Sequence, residues 1–265
     1  FIDEAAQALE PACWIAIRKA DRVILAGDHC QLPPTVKCPQ SVRGGLGHTL
    51  MQSIVKNKPE TVSLLTLQYR MNDEIMRFSS DWFYDGRLQA APEVKYRGIL
   101  DYDTAIEWVN TEGMDCNEEF VGESYGRINK AEAELSVGKL KDYIQKIGKE
   151  RFLDERIDIG LISPYKAQVQ YLRGLIRRDA FFKPYRQAIT VNTVDGFQGQ
   201  ERDVIIISLV RANEEGNIGF LNDLRRMNVA MTRARMKLVI MGDASTLTKH
   251  AFYRKLFDYI TELNG

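Results

Sequence analysis

The chain opens Phe1-Ile2-Asp3-Glu4, an apolar run that ends in two carboxylates. An Asp at the end of a strand can hold Mg²⁺, and an acid beside it can activate a water for phosphoryl transfer. The same pair can instead cap a helix starting near Ala5, where acids favour the dipole. A second group, Gly27-Asp28-His29-Cys30-Gln31-Leu32-Pro33-Pro34, follows the apolar run Arg22–Ala26. Its Gly permits a tight turn, and Asp28 and Gln31 put polar groups where a phosphate can sit; a Pro-rich turn is the alternative. Leu67-Gln68-Tyr69-Arg70-Met71-Asn72 offers a guanidinium able to grip a phosphate and a ring able to stack on a base. Arg70 can equally be a surface residue ahead of a helix. In Thr193-Val194-Asp195-Gly196-Phe197-Gln198-Gly199-Gln200-Glu201 two glycines flank Phe197-Gln198, which allows close backbone approach to a ligand, or marks a crossover loop. The stretch 228–235, read as helical, carries Arg233 and Arg235 on either side of Ala234. On a helix these point in different directions, so one at most faces a shared site.

These groups need elements to hold them. Five short apolar runs read as buried parallel strands, at 22–26, 158–162, 189–193, 204–208 and 237–241, with another strand at Ala105–Asn110. Helical patterns lie between them at 47–56, 72–85, 130–147, 165–178, 222–235 and 247–263. Alternation of this kind implies an α/β fold, a parallel sheet with helices on both faces, with ligands beyond the carboxyl ends of the strands. Arg22-Val-Ile-Leu-Ala-Gly27-Asp28 is echoed by Lys237-Leu-Val-Ile-Met-Gly242-Asp243, a pattern that fits two related domains. The polar turn Asn57–Glu60 divides the chain into 1–63 and 64–265. The segment 92–127 is the least regular.

Composition narrows the class. The 265 residues are 45% hydrophobic and 27% charged, enough apolar content for a core and too much for intrinsic disorder. Apolar stretches such as Val204–Ile207 are far short of the ~20 residues a membrane helix needs. Cys13, Cys30, Cys38 and Cys116 lack paired C-x-x-C spacing, so a reduced intracellular, cytoplasmic protein is expected. Lys and Arg total 36, as do Asp and Glu. The zero balance argues against a uniformly basic nucleic-acid binder. Its distribution does not, because 165–186 holds Lys166, Arg173, Arg177, Arg178, Lys183 and Arg186 against Asp179 alone.

Taken in order, Asp-Glu-Ala-Ala, Gly-Asp-x-x-Gln-Leu-Pro-Pro, Gln-Tyr-Arg-Met, Val-Asp-x-Phe-Gln-Gly-x-Glu-x-Asp and Asn-Val-Ala-x-Thr-Arg-Ala-Arg resemble the motifs of superfamily 1B helicases. The up-frameshift, senataxin and immunoglobulin-mu-binding helicases are the nearest forms, and the resemblance covers nearly the whole chain. It implies an ATP-dependent motor with a RecA-like, P-loop NTPase fold: the end of a first motor domain, followed by a complete second one. Asp3 would hold Mg²⁺ and Glu4 would orient and deprotonate the attacking water. Gln31 would sense the γ-phosphate. Tyr69 would lie against the adenine, Glu201 would accept from the ribose, and Gly199 would let the backbone approach the nucleotide. Arg70 and Arg233 would be arginine fingers, and Arg235 structural. The track would be single-stranded DNA or RNA, and the motor's partner the first RecA-like domain of the same parent chain. Two departures stand out. Asn72-Asp73 replaces the family's usual His-Pro, and both caps suit a helix start. The phosphate loop G-x-x-x-x-G-K-[ST] is absent, since Arg43-Gly44-Gly45-Leu46-Gly47-His48-Thr49 lacks the Lys. The expectation is a piece of a longer protein whose phosphate loop lies upstream of Phe1, inactive by itself.

In such helicases the position of Ser163-Pro164-Tyr165 touches the strand, so Ser163, Tyr165 and Thr193 are the expected phosphate or sugar contacts. On the following helix Val169, Leu172 and Ile176 are expected inside, and Lys166, Gln170, Arg173 and Arg177 outside. With Tyr165, Tyr171, Phe181, Phe182 and Tyr185 this basic stripe forms a strand-gripping surface, unless the rings are core and the charges a solvated face. A clamp that binds without translocating, or a motor fused to a nuclease, are the rival readings.

Overall fold

The computed structural model describes residues 1–122 and 126–265; Glu123, Ser124 and Tyr125, within the irregular stretch 92–127, lie outside the described residues. The chain divides into two compact units, Phe1–Leu65 and Thr66–Gly265.

In the first unit Ile2 bridges Leu25 in parallel, with Ile2 N donating to Ile24 O and Ala26 N to Ile2 O, both at 2.9 Å. Three helices follow: α1 (Glu10–Ile17), α2 (Pro39–Ser41) and α3 (Leu50–Asn57). A capping box opens α3, with Thr49 accepting from Gln52 N and Gln52 accepting from Thr49 N, so the helix starts later than its apolar pattern implied. The expected buried strand at 22–26 is a correction. It is reduced to one bridge, and Val23 and Ile24 are exposed. Only the Phe1–Ala5 segment pairs with it among the described residues of this unit, so its apolar side chains lack the cover that a central strand receives.

The second unit runs β1 (Leu67–Gln68), α4 (Asp73–Phe83), β2 (Gln89–Ala90), β3 (Ile106–Asn110), β4 (Glu119–Val121), β5 (Gly126–Ile128), α5 (Lys130–Ile147) and α6 (Lys149–Asp154). It continues with β6 (Ile159–Ser163), α7 (Lys166–Arg178), β7 (Ile189–Thr193), β8 (Arg202–Ser208), α8 (Leu224–Met231), β9 (Ala234–Gly242), α9 (Ala244–Leu247) and α10 (Ala251–Asn264). Five strands form a parallel sheet in the order β3-β9-β8-β6-β7. Side chains alternate across it. Leu161, Val191, Val204, Ile206, Val239 and Met241 join α5 and α7 in one core. Residues of opposite parity face the other way, where Trp108 meets Phe257 of α10 edge-on at 5.4 Å between ring centres. The helices therefore cover both faces, in the α/β, RecA-like arrangement expected.

Two helix boundaries differ from the sequence pattern. The helix expected at 222–235 stops at Met231, because Ala234 pairs with Arg202 of β8 and β9 begins there. Arg233 therefore occupies a turn, and Arg235 a strand. The helix expected at 247–263 is split into α9 and α10, with His250 capping the second by accepting from Phe252 N.

Candidate functional site

In the first unit the two carboxylates sit on a turn. Glu4 has φ 50°, in the left-handed region, and its N donates to Asp3 Oδ1 at 2.8 Å. Glu4 Oε2 accepts from Gln7 Nε2 at 2.6 Å. The first helix begins only at Glu10, so the pair does not cap it. Ala5 N donates to Ala26 O at 2.8 Å, which draws the Gly27 segment against the same turn. A Cβ on Gly27 would lie 2.9 Å from Ala6 N and 3.0 Å from Ala5 N, so only glycine permits this approach. Asp28 follows, and its carboxylate accepts from Cys30 N at 2.9 Å and Gln31 Nε2 at 2.8 Å. Asp3 and Glu4 are both exposed oxygen donors. That chemistry fits Mg²⁺, which binds through one or two carboxylates, water and substrate phosphates.

In the second unit the candidate residues fall at opposite ends of the sheet. At the amino ends of β8 and β9, Arg70 Nε donates to Glu201 Oε2 at 2.5 Å and its Nη1 to Thr232 O at 3.1 Å. Arg235 meets Asp158 at 2.9 Å, Asp203 at 3.0 Å and Glu201 at 3.6 Å. Burial pushes the Asp203 carboxyl up. Arg233 is 3% exposed, and its guanidinium donates to Val229 O, Gln200 O and Thr232 Oγ1 at 3.0, 3.2 and 3.2 Å. It is turned inward, unlike an arginine held out towards solvent. Tyr69 is exposed, and Gly199 has φ 73° with open space where a Cβ would stand. The expectation that ligand groups gather at carboxyl ends thus does not describe this cluster.

The carboxyl ends hold Ser163, Tyr165 and Thr193. The side chains of Ser163 and Tyr165 are buried, and Tyr165 Oη accepts from Arg211 Nη1 at 3.4 Å. Thr193 is half-buried, with Oγ1 accepting from Gly196 N at 3.4 Å. Strands of five to nine residues separate these groups from the Arg70 cluster by roughly 16–30 Å. The loop Val194–Glu201 spans that distance. Its Phe197 is buried against Gly160, where a Cβ would come within 2.8 Å of the ring.

On α7, Val169, Leu172 and Ile176 are buried while Lys166, Gln170, Arg173 and Arg177 are exposed. Arg173 is anchored, with Nε and Nη2 donating to Val191 O at 2.9 and 2.6 Å. Phe182 and Tyr185 are core, and Tyr171 and Phe181 half-buried, so the rings mostly pack.

Sequence reasoning missed a buried network at the end of β8. Glu132 Oε1 accepts from Ser208 Oγ at 2.6 Å and Val210 N at 2.8 Å, while Gln168 Nε2 donates to Asn129 O and Ser208 Oγ, both at 2.9 Å. Burial pushes the Glu132 carboxyl up to about 7. Val210 is held at φ 72°, a strained conformation for a β-branched residue. Nearby, Arg211 Nε pairs with Glu118 at 2.7 Å, with both side chains buried. The signal in the sequence is Gln168, a polar residue one turn before Leu172 on the apolar face of α7, where it is fully buried.

A cavity of about 900 Å³ in the first unit, lined by Trp14, Ile15, Arg18, Lys19 and His48 among others, contains none of the candidate site residues.

The family models of the AAA domain match residues 1–39 and 46–245. The chain belongs to that AAA domain family. It is 38% identical over 273 residues to an uncharacterized ATP-dependent helicase of Methanocaldococcus jannaschii, covering 97% of this chain and 38% of that protein. It is 38% identical to the DNA polymerase alpha-associated DNA helicase A of Saccharomyces cerevisiae, over 94% of this chain and 38% of the relative. A Drosophila melanogaster homolog of the regulator of nonsense transcripts 1 is 36% identical over 98% of this chain and 22% of its own length. The chain thus spans well under half the length of these relatives. The solved structure of PRRSV helicase aligns with 93% of this chain and 35% of its own, at 15% identity and a TM-score of 0.45.

Proposed function

We propose that this chain is part of an ATP-dependent nucleic-acid helicase or translocase of superfamily 1B. The observation that carries the reading is the segregation of charge in the second unit: a cluster of Arg70, Glu201, Arg233 and Arg235 at one end of the sheet, and exposed Lys166, Arg173 and Arg177 on α7, which follows the other end. One end has the chemistry of a phosphoryl-transfer site. The α7 face has the cationic chemistry of a phosphate backbone's counterpart. The AAA domain match and the helicase names of the relatives support the same reading.

In this reading Asp3 helps hold Mg²⁺, which neutralises charge on the nucleotide phosphates when bound. Glu4 takes the proton of the attacking water, and Gln31, braced by Asp28, reports on the γ-phosphate. Arg70 and Arg233 stabilise the charge that develops there, Tyr69 stacks on the adenine, Glu201 accepts from the ribose, and Gly199 keeps the backbone clear for the nucleotide. Arg233 must first exchange one of its backbone acceptors for a phosphate oxygen, and Glu201 must share its carboxylate between Arg70 and the sugar. Single-stranded DNA or RNA binds beside Ser163, Tyr165 and Thr193, where backbone groups or the Thr193 hydroxyl supply contacts, since the Ser163 and Tyr165 side chains are covered. The first RecA-like domain of the parent chain is the partner, Phe1–Leu65 being its end, and a reducing cytoplasm is the setting. This chain carries no phosphate loop of the G-x-x-x-x-G-K-[ST] type, so by itself it binds ATP weakly and does not hydrolyse it.

The test is strand-stimulated ATP turnover by the parent protein and by its Glu4→Gln variant. Turnover that the substitution abolishes, with strand binding retained, supports the reading. Turnover unchanged in Glu4→Gln refutes the role of that acid.

A further inference from the structure

We propose that Asp28, His29 and Cys30 form a binding site for a thiophilic divalent cation, Zn²⁺ by preference. One donor atom from each of the three lies within 4.8 Å of the others. Cys30 Sγ stands 3.6 Å from His29 Nε2. Tetrahedral zinc, with Zn–S about 2.3 Å and Zn–N about 2.0–2.1 Å, requires those two atoms to be about 3.6 Å apart. The backbone holds the group together, since Cys30 N donates to Asp28 Oδ1 at 2.9 Å and Gln31 N to Asp28 O at 3.1 Å. His29 is exposed and Asp28 and Cys30 are half-buried, so an ion can enter.

The donor set chooses the ion. Thiolate and imidazole suit Zn²⁺ and disfavour Mg²⁺, which takes oxygen ligands. The site is therefore chemically distinct from the Asp3–Glu4 carboxylates. On binding, the Cys30 thiol gives its proton to solvent, zinc–sulfur, zinc–nitrogen and zinc–oxygen bonds form, and water completes the tetrahedron. No oxidation is involved.

Occupancy has a local consequence. Asp28 Oδ2 now accepts from Gln31 Nε2 at 2.8 Å. A metal bound to that carboxylate competes with the amide, so the Gln31 side chain is released. That this slows ATP turnover rests on the function proposed above; the binding itself does not.

The experiment titrates the protein with Co²⁺ as a spectroscopic stand-in and follows the sulfur-to-cobalt charge-transfer absorption, then displaces the cobalt with Zn²⁺. The expected result is one thiolate-bound ion per chain, retained in Cys38→Ser and weakened in His29→Ala and Cys30→Ser by at least tenfold. The loss should be no smaller than the roughly 10–100-fold seen when only an outer-shell partner of a metal is removed. Absence of the band, its survival in Cys30→Ser, or its loss in Cys38→Ser overturns the site. In the parent protein, zinc at saturating Mg²⁺ should lower ATP turnover at least tenfold, and Cys30→Ser should remove that sensitivity. Zinc that binds without lowering turnover overturns the link to Gln31 and leaves the site standing. A parent protein without turnover leaves the titration as the deciding measurement.

Discussion

Arg70 and Glu201, 131 positions apart in the chain, are ion-pair partners: Arg70 Nε donates to Glu201 Oε2 at 2.5 Å. Their side chains keep 35% and 40% of their exposure, so the pair contributes about 1 kcal/mol or less to stability. Arg70→Ala should therefore leave the fold intact and, if the role proposed for it holds, lower kcat of the parent protein about 10³-fold or more, the range over which arginine fingers act. Turnover within tenfold of wild type, in a variant with an unchanged melting temperature, would remove Arg70 from the reaction.

Arg233 behaves differently because it is buried and bonded to three acceptors. Its replacement by Ala removes the donor to Gln200 O and one of the two side-chain donors to Val229 O, and hydrogen bonds to charged groups each contribute about 1.5–3 kcal/mol. Arg233→Ala should lower the urea midpoint by an amount of that order, and Arg233→Lys by less. A midpoint equal to wild type in Arg233→Ala would show that the guanidinium does not anchor the turn. Loss of activity in this variant is interpretable only beside that measurement.

Glu132 makes stability depend on pH. Its folded-state value, about 7, lies above the ordinary value of 4.5, so the folded state holds the proton more tightly. The protonated form favours folding below about 4.5, and that contribution is lost as pH rises through about 7, a swing of roughly 3 kcal/mol. Glu132→Gln should lack this component. Denaturation at pH 5 and pH 8 checks it: the gap in stability between wild type and variant should shift towards the variant at pH 8. An identical gap at both pH values would contradict the assignment.

Gly160 on β6 leaves space for Phe197. A Cβ there would meet Ile205 Cδ1 at 2.6 Å and the Phe197 ring at 2.8 Å. Gly160→Ala should cost about 1–3 kcal/mol by overpacking. Phe197→Leu in the same chain should recover part of it, which thermal melts of the single and double variants will show. No recovery would mean that the ring is not the obstacle.

Lys166 and Arg177 are exposed cations on α7, whereas Arg173 is tied to Val191 O. Removing the first two charges should weaken single-strand binding by the parent protein and flatten the plot of log K against log salt. The slope should fall by about 0.7 for each phosphate that is no longer neutralised. Arg173→Ala should change binding less and stability more. Filter binding across a salt series decides; an unchanged slope in Lys166→Ala/Arg177→Ala would leave the stripe as a solvated face.

Local patterns in the sequence were enough to locate α5, α7 and the strands β3, β6, β7, β8 and β9, because apolar spacing and chain alternation are properties of consecutive residues. They also marked out the order of the Asp3, Gln31, Arg70, Glu201 and Arg233 segments, since motif identity is read along the chain. Three things depended on tertiary structure. Strand order brought Glu201 to Arg70 and put the cluster of Arg70, Glu201 and Arg235 at the amino ends of β8 and β9, which no local pattern encodes. Burial turned Arg233, Ser163 and Tyr165 inward, because exposure depends on what packs from distant parts of the chain. The run 22–26, apolar like β9, is bridged by Ile2 alone among the described residues, because pairing and cover come from distant segments and not from the apolar run itself.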